Sequence, residues 1–363
     1  MFYHLLYPLK DILFIFNIFK YITFRSAMAT LTAFILSLFL TPKLINKLVQ
    51  YKILVNVRKA DESPQLYELH KHKESIPTMG GIMIIFTIIL STLLWARLDN
   101  LYIILSVLII IWLGILGFLD DYLKLKKDKP KGLSPSIKLT GQIILGLIVG
   151  AILYLKVPSI TLLDIPFFKE LKLDLGIFYI LFVILVIAGS SNAVNLTDGL
   201  DGLAIGNVIM VAVAFSILSY VTGNIKFSDY LFIPYIKDAG ELTVLCASII
   251  GGGLGFLWFN CFPASIFMGD VGSLALGGLL GAISVFIKKE LLLVMVGGVF
   301  VLEAVSVILQ VGSFKLRKKR IFKIAPLHHH FQFLGLSEPK IVVRFWILAG
   351  LLALLMVVTL KIR

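Results

Sequence analysis

Asp120 and Asp121 stand side by side in Gly117-Phe118-Leu119-Asp120-Asp121-Tyr122-Leu123-Lys124, where a very apolar run stops and a lysine cluster begins. Adjacent carboxylates beside lysines suit the binding of a hard cation, the movement of a proton or attack on an electrophile. Residues 101 to 119 are almost entirely Leu, Ile, Val, Trp and Gly. At ~1.5 Å per residue, such a helix and its flanks cross a ~30 Å hydrocarbon layer and deliver the pair to a membrane surface. The pair also falls at the C-terminal end of that helix, where the macrodipole disfavours anions. Two anions so placed point to a cation or a function, unless they only mark where lipid ends.

Further clusters carry residue types of the same kind. Asn195, Asp198 and Asp201 are three apart, so on a helix they share a face, and Gly199 and Gly202 let backbone approach a ligand. Capping of the following apolar helix is the competing reading. Residues 260 to 273 contain Asn260, Phe267 and Asp270 ahead of another apolar run. A carboxylate at a helix start is electrostatically favoured, and the same terminus presents amides to an anion, so a metal-bridged phosphate fits there. Phe267 is of a type that stacks on a base, with interfacial anchoring as its alternative.

Three consecutive histidines, His328, His329 and His330, invite a zinc reading. Adjacent side chains diverge in helix or strand, and no supporting carboxylate is evident nearby in sequence, so phosphate binding or proton transfer is expected instead. Lys73 and Thr78 precede the Gly80-Gly81 pair, as in a phosphate cradle, without Walker spacing. Glu303 and Gln310, seven apart on one helical face, are expected to hydrogen-bond neighbouring helices.

These clusters belong to a chain of 363 residues that is 59% hydrophobic, with mean hydropathy +0.97. That excess over what a soluble core needs identifies an all-α polytopic membrane protein. Runs of spanning length fall at roughly 23 to 41, 78 to 98, 101 to 119, 138 to 155, 176 to 191, 204 to 221, 242 to 259, 273 to 287, 291 to 311 and 341 to 360. Residues 1 to 22 read as an interfacial helix, interrupted by Lys10, Asp11, Asn17 and Lys20 and lacking a cleavage pattern; 23 to 363 read as one ten-helix domain. Lys and Arg concentrate after the first, third and ninth runs, which places those loops in the cytoplasm and both termini outside. On that topology every polar cluster falls on the cytoplasmic face. The net charge of +13 needs no nucleic-acid partner, because basic loops orient a membrane protein and attract anionic lipid and phosphate. Cys246 and Cys261, about 22 Å apart if on one helix, imply no disulfide.

Carboxylates and Asn with Lys and His at one membrane face suit Mg²⁺ bound together with substrate phosphates. Phosphoryl transfer between a soluble nucleotide substrate and a lipid phosphate would use such a site. Gly117-Phe-Leu-Asp-Asp-Tyr-Leu-Lys, Asn195-Leu-Thr-Asp-Gly-Leu-Asp-Gly, Gly255-Phe-Leu-Trp-Phe-Asn, Phe267-Met-Gly-Asp-Val-Gly-Ser and Ala325-Pro-Leu-His-His-His-Phe resemble the bacterial phospho-N-acetylmuramoyl-pentapeptide transferases, from about residue 20 to the C-terminus. The aspartate motifs are shared with the wider polyprenyl-phosphate N-acetylhexosamine-1-phosphate transferase superfamily; the triple-His segment points to the muramoyl-pentapeptide branch.

The resemblance implies a ten-span homodimer of the bacterial inner membrane, in which undecaprenyl phosphate attacks UDP-MurNAc-pentapeptide to give lipid I and UMP. It implies Asp120 as base or nucleophile, Asp121 as its acidic partner and Asp270 as the Mg²⁺ ligand. It implies Asn195, Asp198, Asp201, Lys73, Thr78, Asn260, Phe267 and His329 along the nucleotide-sugar pocket, with Phe267 on uracil, and Lys124 and Lys138 on phosphates. His328 and His330 are counted with the substrate-binding set and His329 with the catalytic one. The chain departs from the usual pattern at Ser75-Ile76 and at Gln332, and the second argues against a catalytic role for position 332. A relative acting on another UDP-N-acetylhexosamine, and an anionic-lipid transporter or flippase, stay open as alternatives. A transporter would favour midplane polar sites and inverted repeats, which the sequence lacks.

Overall fold

The computed structural model describes residues 1–54, 73, 75–126, 132–157, 159–165 and 172–360. His70 and the basic residues Arg58, Lys59, Lys71, Lys127, Lys129 and Lys131 lie outside the described residues. The helices are α1 (Phe2–Leu6), α2 (Ile22–Gln50), α3 (Gly81–Trp95), α4 (Leu101–Lys124), α5 (Pro135–Lys156), α6 (Phe178–Thr197), α7 (Leu203–Thr222), α8 (Ile225–Leu231), α9 (Leu242–Asn260), α10 (Gly269–Phe286), α11 (Glu290–Val296), α12 (Gly298–Arg317), α13 (Leu327–Phe333) and α14 (Glu338–Thr359). A small antiparallel hairpin, β1 (Leu162–Asp164) and β2 (Lys172–Asp174), joins α5 to α6. Among the described residues nine helices are long and apolar enough to cross a membrane, and the chain is an all-α integral membrane protein.

Sequence periodicity and structure differ at three places. The expected second span is a helix of only 15 residues, about 22 Å long, yet it runs from the Phe267–Met268 backbone at one end of the bundle to Arg25 at the other. The expected ninth span breaks at Gly297 into α11 and α12, where a side chain at Gly298 would collide with Leu352 of α14. The expected N-terminal helix is a short α1 followed by 3₁₀ turns over Tyr7–Asp11 and Phe14–Lys20. Pro8 lacks the amide needed to continue a regular ladder, and Leu13 is extended. Phe2 and Phe19 of this segment lie on the ring of Trp95 at the end of α3.

α10 is the hub, buried along almost its whole length and packed between α4 and α6. Outward faces stay apolar: Leu155, Trp258, Ile308 and Leu354 are exposed, which suits lipid rather than water. Successive spans run in alternate directions. One end of the bundle therefore gathers the starts of α3, α5, α7, α10 and α14 and the ends of α4, α6, α9 and α12. Apart from Glu303 and Gln310, which lie within α12, the described residues of the polar clusters singled out in the sequence lie in those termini or the loops joining them.

Close backbone approach makes that convergence possible. A Cβ on Gly117 of α4 would fall inside the Asp270 carbonyl group, and one on Gly81 of α3 inside the Gly272 backbone. Gly117→Ala is expected to cost about 1–3 kcal/mol, because backbone rather than a flexible side chain must move. Gly312, which has open space at its Cβ, is the control, and Gly312→Ala is expected to leave the unfolding midpoint in detergent unchanged. Equal midpoints for the two variants would contradict the close crossing.

Candidate active site

Asp120 and Asp121 occupy the last turn and a half of α4, the position the apolar run assigns them, and both are buried. The unfavourable end of α4 is also the favourable start of α10. Asp121 Oδ2 accepts the Val271 amide at 3.2 Å, so its charge meets an N-terminal dipole as well as a C-terminal one. Asp120 Oδ1 accepts the Leu133 amide at 2.7 Å. Its Oδ2 lies 2.7 Å from the ammonium groups of both Lys124 and Lys138, ionic contacts without hydrogen-bond alignment.

Asp270, in the first turn of α10, completes the cluster. Its Oδ2 is 2.8 Å from Lys138 and 3.1 Å from Lys124, and its Oδ1 accepts the Asn195 amide at 2.8 Å. Each of Asp120, Asp121 and Asp270 offers an oxygen within 4.8 Å of the others, a set that could hold a metal ion. With three carboxylates and two ammonium groups the cluster carries one net negative charge. Oxygen donors alone, negatively biased, match a hard divalent cation.

Asn195 and Asp198 reach this cluster while Asp201 does not. α6 ends at Thr197, and the chain turns through Asp198 to Gly202, whose φ of 76° lies in the left-handed region that glycine permits. The shared helical face expected for the three residues therefore does not form. Capping does not explain them either, since Gly202 itself is the N-cap of α7. Burial first, and the carboxylates of Asp270 and Asp121 after it, push the Asp198 carboxyl up to about 8. That shift favours the protonated, uncharged form of Asp198 beside the cluster.

Asp201 belongs to a second group. Its Oδ1 accepts Lys73 at 2.5 Å and its Oδ2 the Ala264 amide at 3.0 Å; Lys73 also donates to Glu338 at 2.7 Å. The Lys73 ammonium lies 5.4 Å from the centre of the Phe267 ring. Asn260 is buried beneath, accepting the Gly202 amide and donating to the Ile266 carbonyl, so its side chain braces two loops. The Gly80 and Gly81 amides donate to the carbonyls of Phe267 and Met268, so the resemblance to a phosphate cradle fails: those donors are already used. Thr78 lies alongside Gly269, its amide donating to the Ile53 carbonyl.

The histidines diverge, as adjacent side chains must. His328 is buried with its Nδ1 3.2 Å from Glu303 Oε2, and its ring fills the space beside Gly199. His329 Nδ1 pairs with Gln332 Oε1 at 2.8 Å. His330 turns away to accept the Lys323 amide. A carboxylate beside the His triplet, not evident in the sequence, is thus supplied by Glu303, whose expected bond to a neighbouring helix goes to the His segment itself, where its Oε1 accepts the His328 amide. Gln332 has a place at the site as the partner of His329. Glu338, which joins Lys73 and the Asp201 amide, carries no motif that marks it in the sequence. The only signal available was an acidic residue ahead of a proline at a helix start.

The sequence is similar to known proteins along its whole length. The model of glycosyl transferase family 4 matches residues 101–288, which span α4 to the α10–α11 junction. Proteins named phospho-N-acetylmuramoyl-pentapeptide-transferase from Citrifermentans bemidjiense and Pelobacter propionicus are each 53% identical over 363 residues, covering all of both chains. One from Desulfotalea psychrophila is 51% identical over 364 residues, again with full coverage. Identity of that extent along the whole length, across every helix that brings the carboxylates together, places the chain in the phospho-N-acetylmuramoyl-pentapeptide-transferase family.

Proposed function

We propose that the chain transfers phospho-MurNAc-pentapeptide from UDP-MurNAc-pentapeptide to undecaprenyl phosphate, releasing UMP and forming lipid I, at the cytoplasmic face of a bacterial inner membrane and as a homodimer. The observation that carries this reading is the Asp120, Asp121 and Asp270 cluster threaded by Lys124 and Lys138 at one end of an apolar bundle. Such a place is reached by a lipid phosphate from the bilayer and by a nucleotide from water.

Mg²⁺ would be held chiefly by Asp270 with Asp121 close by, and when bound it neutralises the diphosphate undergoing attack. Lys124 and Lys138, now engaged with carboxylates, exchange them for phosphate oxygens as substrates enter. That exchange uncovers Asp120 Oδ2, which takes the proton of the attacking lipid phosphate. Asn195 holds Asp270 in orientation. Phe267 offers a stacking face to uracil, with Lys73 and Asp201 beside it, while His329, held by Gln332, faces the sugar phosphate.

UMP release is expected only with donor, lipid phosphate and Mg²⁺ all present, and EDTA is expected to stop it. UDP-N-acetylglucosamine in place of the peptidyl donor is expected to give no more than about 1% of the rate, since a site built to bind a large substrate polar group rejects analogues lacking it. Comparable labelled lipid product from both donors would refute the assignment of the sugar. UMP release without Mg²⁺ would refute the role of the cation.

A further inference from the structure

Glu338 sits at the first position of α14, just past the His segment, and is almost wholly buried. Its Oε1 accepts two hydrogen bonds, from Lys73 Nζ at 2.7 Å and from the Asp201 backbone amide at 2.7 Å. Two turns along the same helix, Trp346 donates its indole N–H to the Gly202 carbonyl at 3.2 Å. α14 therefore grips consecutive residues of the Asp198–Gly202 turn while fixing Lys73, the one lysine beside Phe267 among the described residues.

The charges decide what this lysine can recognise. Lys73 is enclosed by two carboxylates, so the group carries a net negative charge and repels a phosphate. The phosphate end of the site is the one supplied by Lys124 and Lys138. An ammonium has three hydrogens, and among the described residues Asp201 and Glu338 engage two of them. The third, beside an aromatic face, suits a neutral carbonyl acceptor on a planar ring.

On the functional reading above, we propose that Glu338 is a positioning residue for nucleotide recognition. It aims Lys73 at a carbonyl of the donor's base and holds the Asp201 turn against it, without touching the reacting phosphates. The C-terminal helix thereby sets affinity for the nucleotide rather than the rate of phosphate transfer.

The test uses the full chain in detergent, with UDP-MurNAc-pentapeptide and undecaprenyl phosphate varied separately and UMP as product inhibitor. Glu338→Gln keeps an oxygen for the Asp201 amide and removes the charge facing Lys73. It is expected to raise the donor KM and the UMP inhibition constant together, by roughly tenfold or more, the scale of one hydrogen bond to a charged group. The kcat and the KM for lipid phosphate are expected to stay within about threefold, inside the spread of a single neutral hydrogen bond. Adding Glu338→Gln to Lys73→Met is expected to change little further, since the carboxylate acts through the lysine. A fall in kcat at unchanged donor KM overturns the proposal, as does full additivity with Lys73→Met. Glu338→Asp, which keeps the charge but withdraws it by one methylene, preserves the test if the Gln variant does not fold: a raised donor KM supports positioning and an unchanged one overturns it. Absence of UMP release from the unaltered chain is a separate result and defeats the functional reading instead.

Discussion

Asp270→Asn is expected to lower lipid-product formation on the order of 10³-fold, the scale of removing a principal electrostatic element of a phosphoryl-transfer site. The substitution is nearly isosteric, so packing at the start of α10 is retained. It changes the charge of the cluster from one net negative to neutral and turns an amide N–H toward either Lys138 or Asn195, both donors. The Mg²⁺ concentration for half-maximal activity is expected to rise in parallel, read from labelled lipid product across a Mg²⁺ titration. Asp121→Asn should shift that concentration less, because Asp121 Oδ2 is committed to the Val271 amide. Asp120→Asn is expected to remove the rate while leaving UMP binding intact. Labelled donor without lipid phosphate should leave no label on the protein, as a proton-accepting Asp120 requires. An Asp270→Asn enzyme with the original rate and Mg²⁺ dependence would exclude it as the metal ligand.

Arg25→Met should produce the largest loss of stability of any single change outside the site. Arg25 and Glu241 are both buried at the opposite end of the bundle and form two parallel contacts of 2.6 Å. Arg25 also donates to the Trp95 carbonyl, and Glu241 accepts the Arg97 amide, so three helix ends meet on one ion pair. Removing one partner leaves the other charge buried and uncompensated, at a cost of about 3–5 kcal/mol. The unfolding midpoint in detergent should fall accordingly. The kcat of the folded fraction should not, because α4 separates the two ends by about 30 Å. Arg25→Met combined with Glu241→Leu should recover most of the lost stability, since the pair costs much to desolvate. A double variant no more stable than the single one would show that backbone partners, rather than the pair, carry the stabilisation.

Apolar run length located nine of the long helices and the buried pair at the end of α4, because a span must satisfy its own backbone and exclude charge for about 20 residues. α3 and the broken α11–α12 element are apolar by composition, but their ends meet partners distant in sequence: the Gly80 and Gly81 amides donate to Phe267 and Met268, and Gly298 lies close to Leu352. Period and hydropathy carry no trace of such contacts.

The site divides in the same way. Residue types and alternation of spans were sufficient to name Asp120, Asp121, Asp198, Asp270 and the lysines, and to send them to one end of the bundle. The chain alone could not say that Asp201 parts from Asn195 to pair with Lys73. That follows from the turn at Gly202 and from Glu338, more than 130 residues away in the sequence. Nor could it say that Glu303 anchors the His segment or that Gln332 holds His329. Local spacing fixes which side chains share a helix face. Pairing between loops depends on which termini the packed bundle brings within about 3 Å of one another, and only the assembled fold holds that information.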